Sequence, residues 1–165
     1  MKPRAIVAPA AARKPLHNTL ELDRFLPYRL SVLSNRISQT IAHLYETRFG
    51  LGVTEWRVMA VLGRYPRLSA NEVAERTAMD KVAVSRAVNR MIEDGRLVRE
   101  THDNDRRRSV LELSDAGYTV YDEVAPLALD YERRLLAALS TDERSELDRL
   151  LSQLDQIGVA AMEAR

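Results

Sequence analysis

The sequence predicts a mainly α-helical protein with a small β-hairpin, and three observations support this fold class. Two short capped helices are indicated between residues 69 and 95. An alternating apolar run interrupted by a polar turn follows directly and predicts a hairpin between residues 97 and 113. Long apolar stripes at helical spacing lie before and after this central part. We therefore expect a head that carries the hairpin, flanked by long helices.

The first 20 residues predict a flexible basic arm. Pro3, Pro9 and Pro15 are spaced so that no helix persists through this stretch. Its apolar part, residues 5–12, is too short for a signal peptide or a membrane span. We therefore expect a cytoplasmic protein with one domain over residues 21–165. The arm is either a passive tail or a source of non-specific phosphate contacts.

The first long helix is predicted over residues 22–49. Gly50 ends it, and Pro27 fits the first turn because the N–H that proline lacks has no partner there. Its apolar stripe consists of Leu26, Leu30, Leu33, Ile37, Ile41 and Leu44. The next helix is predicted to have Thr54 as its N-cap and to end near Tyr65, so that the head covers residues 54–113.

Residues 69–95 predict a helix–turn–helix. Ser69 and Glu72 have the spacing of a capping box, in which each side chain bonds the other residue's free backbone N–H. Residues 78–80 form the connection, and Asp80 caps a second helix that runs to about residue 94. Gly95 ends that helix, since glycine adopts a left-handed conformation at little cost.

The second of these helices has two different faces. One face is apolar and predicted to be buried: Val84, Val88, Met91 and Ile92. The other face carries Val82, Ser85, Arg86, Asn89 and Arg90. Arginine pairs with guanine, asparagine with adenine and serine with either base, so this face suits the major groove of DNA. A lone helix of this kind is more often an ordinary surface helix, but the hairpin that follows favours DNA binding.

The hairpin is predicted to have strands at residues 97–100 and 109–113 around a polar turn at residues 101–105. Three arginines, Arg106, Arg107 and Arg108, lie near its tip, and Asp105 is placed to pair with Arg107. Arginine suits a narrow minor groove, where the electrostatic potential is most negative. We therefore interpret residues 97–113 as a wing that contacts DNA, with Leu68 as a short third strand. The alternative is a solvated hairpin with a chance basic run.

Two helices follow the wing. Ser114 is predicted to cap a helix over residues 115–139 that Pro126 kinks, and Ser140 with Glu143 forms a second capping box for a helix ending near Met162. The last helix has the stripe Leu147, Leu150, Leu151, Leu154 and Ile157. Residues 22–49 and 115–162 are therefore predicted dimerisation helices, because a small head cannot cover their stripes. A twofold dimer places two reading helices roughly 34 Å apart and requires an inverted repeat. The alternative is a monomeric helical bundle.

Composition excludes several kinds of chemistry. The 165 residues include no cysteine, which excludes disulfides, thiolate metal sites and cysteine-based peroxide sensing. The three histidines show no metal-ligand spacing, so we expect neither metal nor cofactor. Residues 1–68 carry an excess of seven positive charges and residues 111–165 an excess of seven negative ones. The acidic C-terminal part should therefore face away from phosphates.

Residues 69–95 with His102–Tyr118 closely resemble the multiple-antibiotic-resistance regulator (MarR) family of bacterial transcription factors. Asp105 to Arg107, followed by Leu111, Leu113, Ser114 and Gly117, look like that family's wing signature. The resemblance extends over roughly residues 22–160. It implies a winged helix–turn–helix homodimer that binds a pseudopalindrome in double-stranded DNA and releases it when a small molecule binds. The predicted DNA-binding residues are Lys81, Val82, Ser85, Arg86, Asn89, Arg90, Asp105, Arg106, Arg107 and Arg108.

The resemblance also implies an effector pocket between the dimerisation helices and the head. Candidate lining residues are Arg29, Ser34, Asn35, Arg36, Ser38, His43, Trp56 and Arg57. Residues 26–38 and 45–59 resemble a subgroup that controls aromatic-acid catabolism, some of whose members respond to hydroxycinnamate or its coenzyme A thioester. Each residue has a plain alternative: a core tryptophan, a surface histidine, or arginines in dimer-interface ion pairs.

These observations predict a sequence-specific DNA-binding regulator, most simply a homodimeric repressor released by an aromatic acid or its coenzyme A thioester. The alternative is a protein-interaction module that has kept the fold without DNA binding. An enzyme is not expected, because the chain shows no paired carboxylates, nucleophile–base motif, Gly-rich phosphate loop or metal spacing.

Overall fold

The computed structural model describes residues 20–102 and 105–163. The chain divides into two compact units, one ending at Ile37 and one from Ser38 onward. In the first unit, a turn at residues 22–24 leads into the first half of helix α1, Leu26–Phe49. The predicted start at Leu22 is therefore wrong. A helix from Leu22 would place Pro27 beyond the first turn, where proline lacks a needed N–H and its ring clashes with a carbonyl.

The second unit continues from α1 into helix α2, Val53–Arg64. Its N-cap is Gly52 rather than the predicted Thr54, and no side chain caps it. The amide of Trp56 donates to the Gly52 carbonyl at 3.0 Å, so the first helical hydrogen bond begins two residues earlier than expected. Thr54 lies inside the first turn.

The helix–turn–helix is confirmed. Helix α3, Ala70–Thr77, begins at Ser69 with both bonds of the capping box, and Ala78 ends it in a left-handed conformation. Helix α4, Lys81–Glu93, begins at Asp80, whose carboxylate accepts the N–H groups of Val82 and Ala83 at 3.0 Å each. Gly95 has a φ of +70° and turns the chain into the hairpin.

Strands β1, Leu97–His102, and β2, Asp105–Leu113, form the antiparallel hairpin. The strands extend further into the polar segment than predicted, because backbone pairing continues where the apolar alternation stops. Leu97 pairs with Leu113 and Arg99 with Leu111. Leu68 forms the expected short third strand as a single bridge to Leu111.

The remaining helices follow the hairpin in the chain. Helix α5, Asp115–Leu135, starts at Ser114 and contains Pro126; a 3₁₀ turn, Leu136–Ala138, follows it. The capping box of Ser140 and Glu143 starts α6, Thr141–Gln153. A π-helical turn, Leu154–Gly158, then leads into α7, Val159–Glu163. The two long helices predicted here are thus interrupted, since a 3₁₀ turn closes the first and a wider i→i+5 turn divides the second.

The core of the second unit joins the end of α1 to α2, α3, α4, the hairpin and α5. Its fully buried large side chains are Tyr45, Leu51, Met59, Leu62, Met91, Leu97, Leu111, Val58, Val73, Val84, Val88 and Val124. The apolar face of α4 lies in this core, which fixes the rotation of the helix and turns its polar face outward. In the described residues, no helix is long and apolar enough to cross a membrane.

The capping box of α3 predicts a pH-dependent contribution to stability. Hydrogen bonds from the backbone and then the side chain of Ser69 hold the pKa of Glu72 below its ordinary value. A lowered carboxyl pKa means that the contribution is complete above the ordinary carboxyl pKa and disappears as the pH falls through the lowered value. We expect Glu72→Ala to lower the free energy of unfolding by about 0.5–1 kcal/mol at neutral pH. Urea unfolding of both proteins at a series of pH values from 7 downward measures this; the difference should shrink as the pH falls below the ordinary carboxyl pKa, and a difference that is independent of pH would contradict it.

Candidate nucleic-acid interface

Helix α4 presents a polar face to solvent. Lys81, Val82, Ser85 and Arg86 are exposed, and Val82 is 56% exposed although it is apolar. On the opposite face Val84, Ala87, Val88 and Met91 are fully buried. The exposed face thus combines two cations, a hydroxyl and a methyl-bearing side chain, which are the groups that contact phosphates, bases and the thymine methyl in a major groove.

Two of the predicted reading residues have protein partners. Arg90 pairs with Glu55 of α2, whose side chain is only 9% exposed. The Asn89 side-chain carbonyl accepts from Arg99 of β1 at 3.4 Å. A bidentate contact of Asn89 with adenine would need that carbonyl free, so Asn89 as placed here is a poorer adenine reader than the sequence suggested. Lys81 and Arg86 have no partner among the described residues.

Arg99 is a cation of this surface that the sequence interpretation missed. It stands opposite Leu111 in the hairpin register, on the ribbon face that carries the buried Leu97, Leu111 and Leu113. An arginine at an inward position of the alternating pattern, directly after the reading helix, was the signal that could have identified it. Its guanidinium extends the basic surface of α4 onto the base of the hairpin.

The predicted arginines of the wing lie on β2. The backbone of Asp105 to Arg108 belongs to that strand, but their side chains lie outside the described residues. The proposed pairing of Asp105 with Arg107 therefore stays a prediction. At the other end of the wing, Arg67 lies 2.9 Å from the carboxylate of Glu100 and 3.7 Å from that of Glu112.

The junction of α4 and β1 is tied to both neighbouring helices. Arg96 donates to the carbonyl of Phe49, at the end of α1, at 2.6 Å. Its own carbonyl accepts the N–H of Ser114 at 3.0 Å, and the hydroxyl of Ser114 donates to the Gly95 carbonyl at 2.6 Å. The start of α5 and the end of α1 thus meet at the corner from which the wing begins.

A cavity of about 200 Å³ lies between α1 and α2 in the second unit. Its lining consists of Ser38, Ile41, Ala42, Tyr45, Val53, Trp56 and Arg57. Arg57 donates to the hydroxyl of Ser38 at 3.0 Å, and the ring of Trp56 lies 5.1 Å from that of Tyr45. The cavity therefore combines aromatic walls with one cation, a combination that suits a small aromatic anion.

Tyr45 is a lining residue whose hydroxyl group lacks a hydrogen-bond partner among the described residues. Its ring is buried, and its hydroxyl oxygen has no hydrogen-bond partner in the described structure. Burial, with a smaller effect of Tyr131, raises the pKa of this hydroxyl, so that it remains a neutral donor. A buried hydroxyl without a partner is costly, and a ligand that accepts from it would remove that cost.

The predicted effector residues do not form one group. Ser38, Trp56 and Arg57 line the 200 Å³ cavity, whereas His43 is exposed and lies outside it. Within the first unit, Arg29 and Arg36 line a separate groove of about 520 Å³, and Ser34 and Asn35 are exposed without lining it. The sequence interpretation missed Tyr45, Ile41, Ala42 and Val53 as lining residues. No group of three or more metal-ligand side chains is found in the described part of the chain.

Comparison with known proteins gives consistent results. Residues 49–108 match the model of the MarR family. The chain is 27% identical over 93 residues to the HTH-type transcriptional regulator BilQ of Clostridium symbiosum. This alignment covers 56% of this chain and 65% of BilQ, so the chain spans just under two thirds of that relative. It is 22% identical over 116 residues to the homoprotocatechuate degradative operon repressor of Escherichia coli, covering 70% of this chain and 78% of the repressor.

The fold also has close counterparts among solved structures. A crystal structure of a MarR/EmrR family transcriptional regulator from Acinetobacter sp. ADP1 superimposes with a TM-score of 0.77 at 28% identity, covering 82% of this chain and 96% of that one. The predicted winged helix–turn–helix architecture is therefore confirmed.

Proposed function

We propose that this chain is a transcriptional regulator of the MarR family, as the match of residues 49–108 and the fold support, and that it acts as a homodimeric repressor. In this proposal it binds an inverted-repeat operator through α4 and the wing and releases the operator when a small aromatic acid binds. The exposed polar face of α4, held outward by its buried apolar face, is the observation that carries the proposal. The family and the relatives are transcriptional regulators and not enzymes, and no observation favours a protein-interaction module without DNA binding.

The exposed apolar side chains of the last helices support dimerisation. The stripe on α6 and the π-helical turn is 38–63% exposed and consists of Leu147, Leu150, Leu151, Leu154 and Ile157. A contiguous apolar patch of this kind on a single chain is characteristic of a protein–protein interface. A second copy of the chain would cover it and would present two α4 helices to one duplex.

The cavity supports an effector with a single aromatic ring. A volume of about 200 Å³ is below the usual range for drug-sized ligands, which begins near roughly 300 Å³. A benzoate- or cinnamate-sized acid suits it better than a coenzyme A thioester, so we favour the free acid. In the bound state Arg57 would pair with the carboxylate and Tyr45 would donate to a ring substituent or carboxylate oxygen. The E. coli relative, named for a homoprotocatechuate degradative operon, supports the same class.

Gel shifts with the DNA that flanks the chain's own gene test the function. At a fixed salt concentration, the protein should retard a fragment of that DNA in the presence of excess bulk DNA, and an aromatic acid should reverse the shift. Equal binding to all fragments would contradict sequence-specific recognition. If the protein binds its DNA specifically but no aromatic acid reverses the shift, the proposed DNA-binding function stands and the proposed class of effector is rejected.

Trp56 provides a direct measurement of ligand binding, because it is the only tryptophan in the chain. Titration with benzoate or 4-hydroxycinnamate should quench its fluorescence in the wild type. Arg57→Gln should weaken this binding about 10- to 100-fold, since a charge-assisted hydrogen bond contributes about 1.5–3 kcal/mol. Arg64→Gln, on the same helix but outside the cavity, is the matched control. Equal binding by both variants, or equal binding of uncharged benzamide, would contradict a carboxylate contact at Arg57.

A further inference from the structure

The segment between α2 and α3 has an unusual conformation at Arg67. Its φ is +64°, in the left-handed region, where only glycine is free of steric cost. The Arg67 amide donates to the Leu111 carbonyl at 3.0 Å, and the Leu111 amide donates to the Leu68 carbonyl at 2.8 Å. These two bonds fix the segment against the base of the wing. A glycine would make the same backbone bonds with less strain, so the arginine side chain must provide something else.

The Arg67 guanidinium bridges the two strands of the wing. Its Nη1 atom lies 2.9 Å from Glu100 on β1 and 3.7 Å from Glu112 on β2. Glu100 pairs with Val110 and Val98 with Glu112, so the two carboxylates lie diagonally on the same face of the ribbon. That face is opposite to the one that packs Leu97 and Leu111 into the core. One cation thus contacts both strands from outside the hairpin.

The energies of these contacts indicate a role other than stability. An exposed ion pair typically contributes only about 0.2–1 kcal/mol, which does not exceed the roughly 1–2 kcal/mol cost of a left-handed backbone at a residue with a side chain. Without Arg67, however, two uncompensated carboxylates would face each other on a hairpin that approaches phosphates. Their repulsion would disfavour this arrangement of the strands and weaken attraction to DNA.

We propose that Arg67 is a positioning residue for the wing. Arg67 holds Glu100 and Glu112 together. This contact sets the direction of the hairpin and neutralises the two carboxylates. The inference rests on the proposed DNA-binding function and assigns Arg67 no base contact of its own. Recognition by α4 should therefore be independent of it, whereas minor-groove binding by the wing should depend on it.

Footprinting of the full-length protein on its operator tests this role. Arg67→Gly removes the side chain but suits the backbone, so its unfolding temperature should remain close to that of the wild type. Its operator affinity should fall by about tenfold, as expected when basic charge near phosphates is lost. Hydroxyl-radical protection of the minor groove beside each half-site should disappear, whereas methylation protection of guanines in the major groove should remain. Adding Glu100→Gln and Glu112→Gln to Arg67→Gly should restore part of the affinity.

Arg64→Gln is the matched control. Arg64 is a neighbouring exposed arginine that stacks on the ring of Tyr65 and has no ion pair with the wing among the described residues. The proposal is overturned if Arg67→Gly binds like the wild type, if both grooves lose protection together, or if Arg64→Gln loses as much affinity. If the wild-type protein protects no specific site, the proposed DNA-binding function is rejected, and the proposed role of Arg67 in the wing is rejected with it.

Discussion

Replacing Gly117 with alanine is expected to lower the free energy of unfolding by about 3 kcal/mol. An added Cβ would overlap the carbonyl oxygen of Arg96 and lie 3.1 Å from its carbonyl carbon and 3.3 Å from Cβ of Leu113. These neighbours cannot move aside cheaply, because the same carbonyl of Arg96 accepts the amide of Ser114 at 3.0 Å. The start of α5 would have to shift away from the α4–β1 corner. Urea unfolding followed by circular dichroism measures the loss.

Gly95→Ala is the control that distinguishes the steric clash at Gly117 from the backbone cost of replacing a glycine. Gly95 has a φ of +70°, but a Cβ there would meet no atom within 4 Å. The cost at Gly95 should therefore be only that of the left-handed backbone, about 1 kcal/mol. If Gly117→Ala were no more destabilising than Gly95→Ala, the close approach of α5 to the corner would be wrong.

Replacing Arg86 with alanine is expected to weaken operator binding by about 1–3 kcal/mol, or roughly 5- to 150-fold. Arg86 is exposed on the outward face of α4 and, unlike Arg90, has no protein partner among the described residues. It is thus free to form the bidentate contact with guanine that discriminates between base pairs. The loss should be largest on the intact operator and should vanish on an operator in which that guanine has been replaced.

Fluorescence anisotropy with the operator and with single-base variants measures this effect at one salt concentration. Arg133→Ala is a suitable control, because it removes the same charge from α5, where Arg133 pairs with Asp130. A loss that is equal for Arg133→Ala, or equal for all DNA sequences, would show that Arg86 contributes only charge. Unchanged binding by Arg86→Ala would show that α4 does not read bases through this residue.

The features predicted correctly from the sequence are those with local causes. Ser69 with Glu72, Asp80 and Gly95 each act within one turn of a helix, so their spacing in the chain already determines their geometry. The apolar stripe of α4 is equally local, and it determined which residues face outward. The N-cap of α2 was predicted wrongly at Thr54, whose hydroxyl suits a cap, whereas the helix has Gly52 as its N-cap and no side-chain cap.

The features that were missed depend on contacts between distant parts of the chain. Glu55 meets Arg90 and Asn89 meets Arg99 only after α2, α4 and the hairpin have packed. Tyr45 is buried, but its unpartnered hydroxyl can be recognised only when the fold has formed the cavity around it. Periodicity can identify a buried face, but it does not show whether the packing on that face is complete.

Selection of bound duplexes from a random library, carried out with the wild type and with Arg86→Ala, tests the central claim most directly. The account predicts that the wild type enriches an inverted repeat whose half-sites are centred about one helical turn apart, roughly 34 Å. Arg86→Ala should lose the preference for one guanine in each half-site and keep the spacing. No enriched motif, or a single half-site without a symmetric partner, would contradict recognition by paired α4 helices.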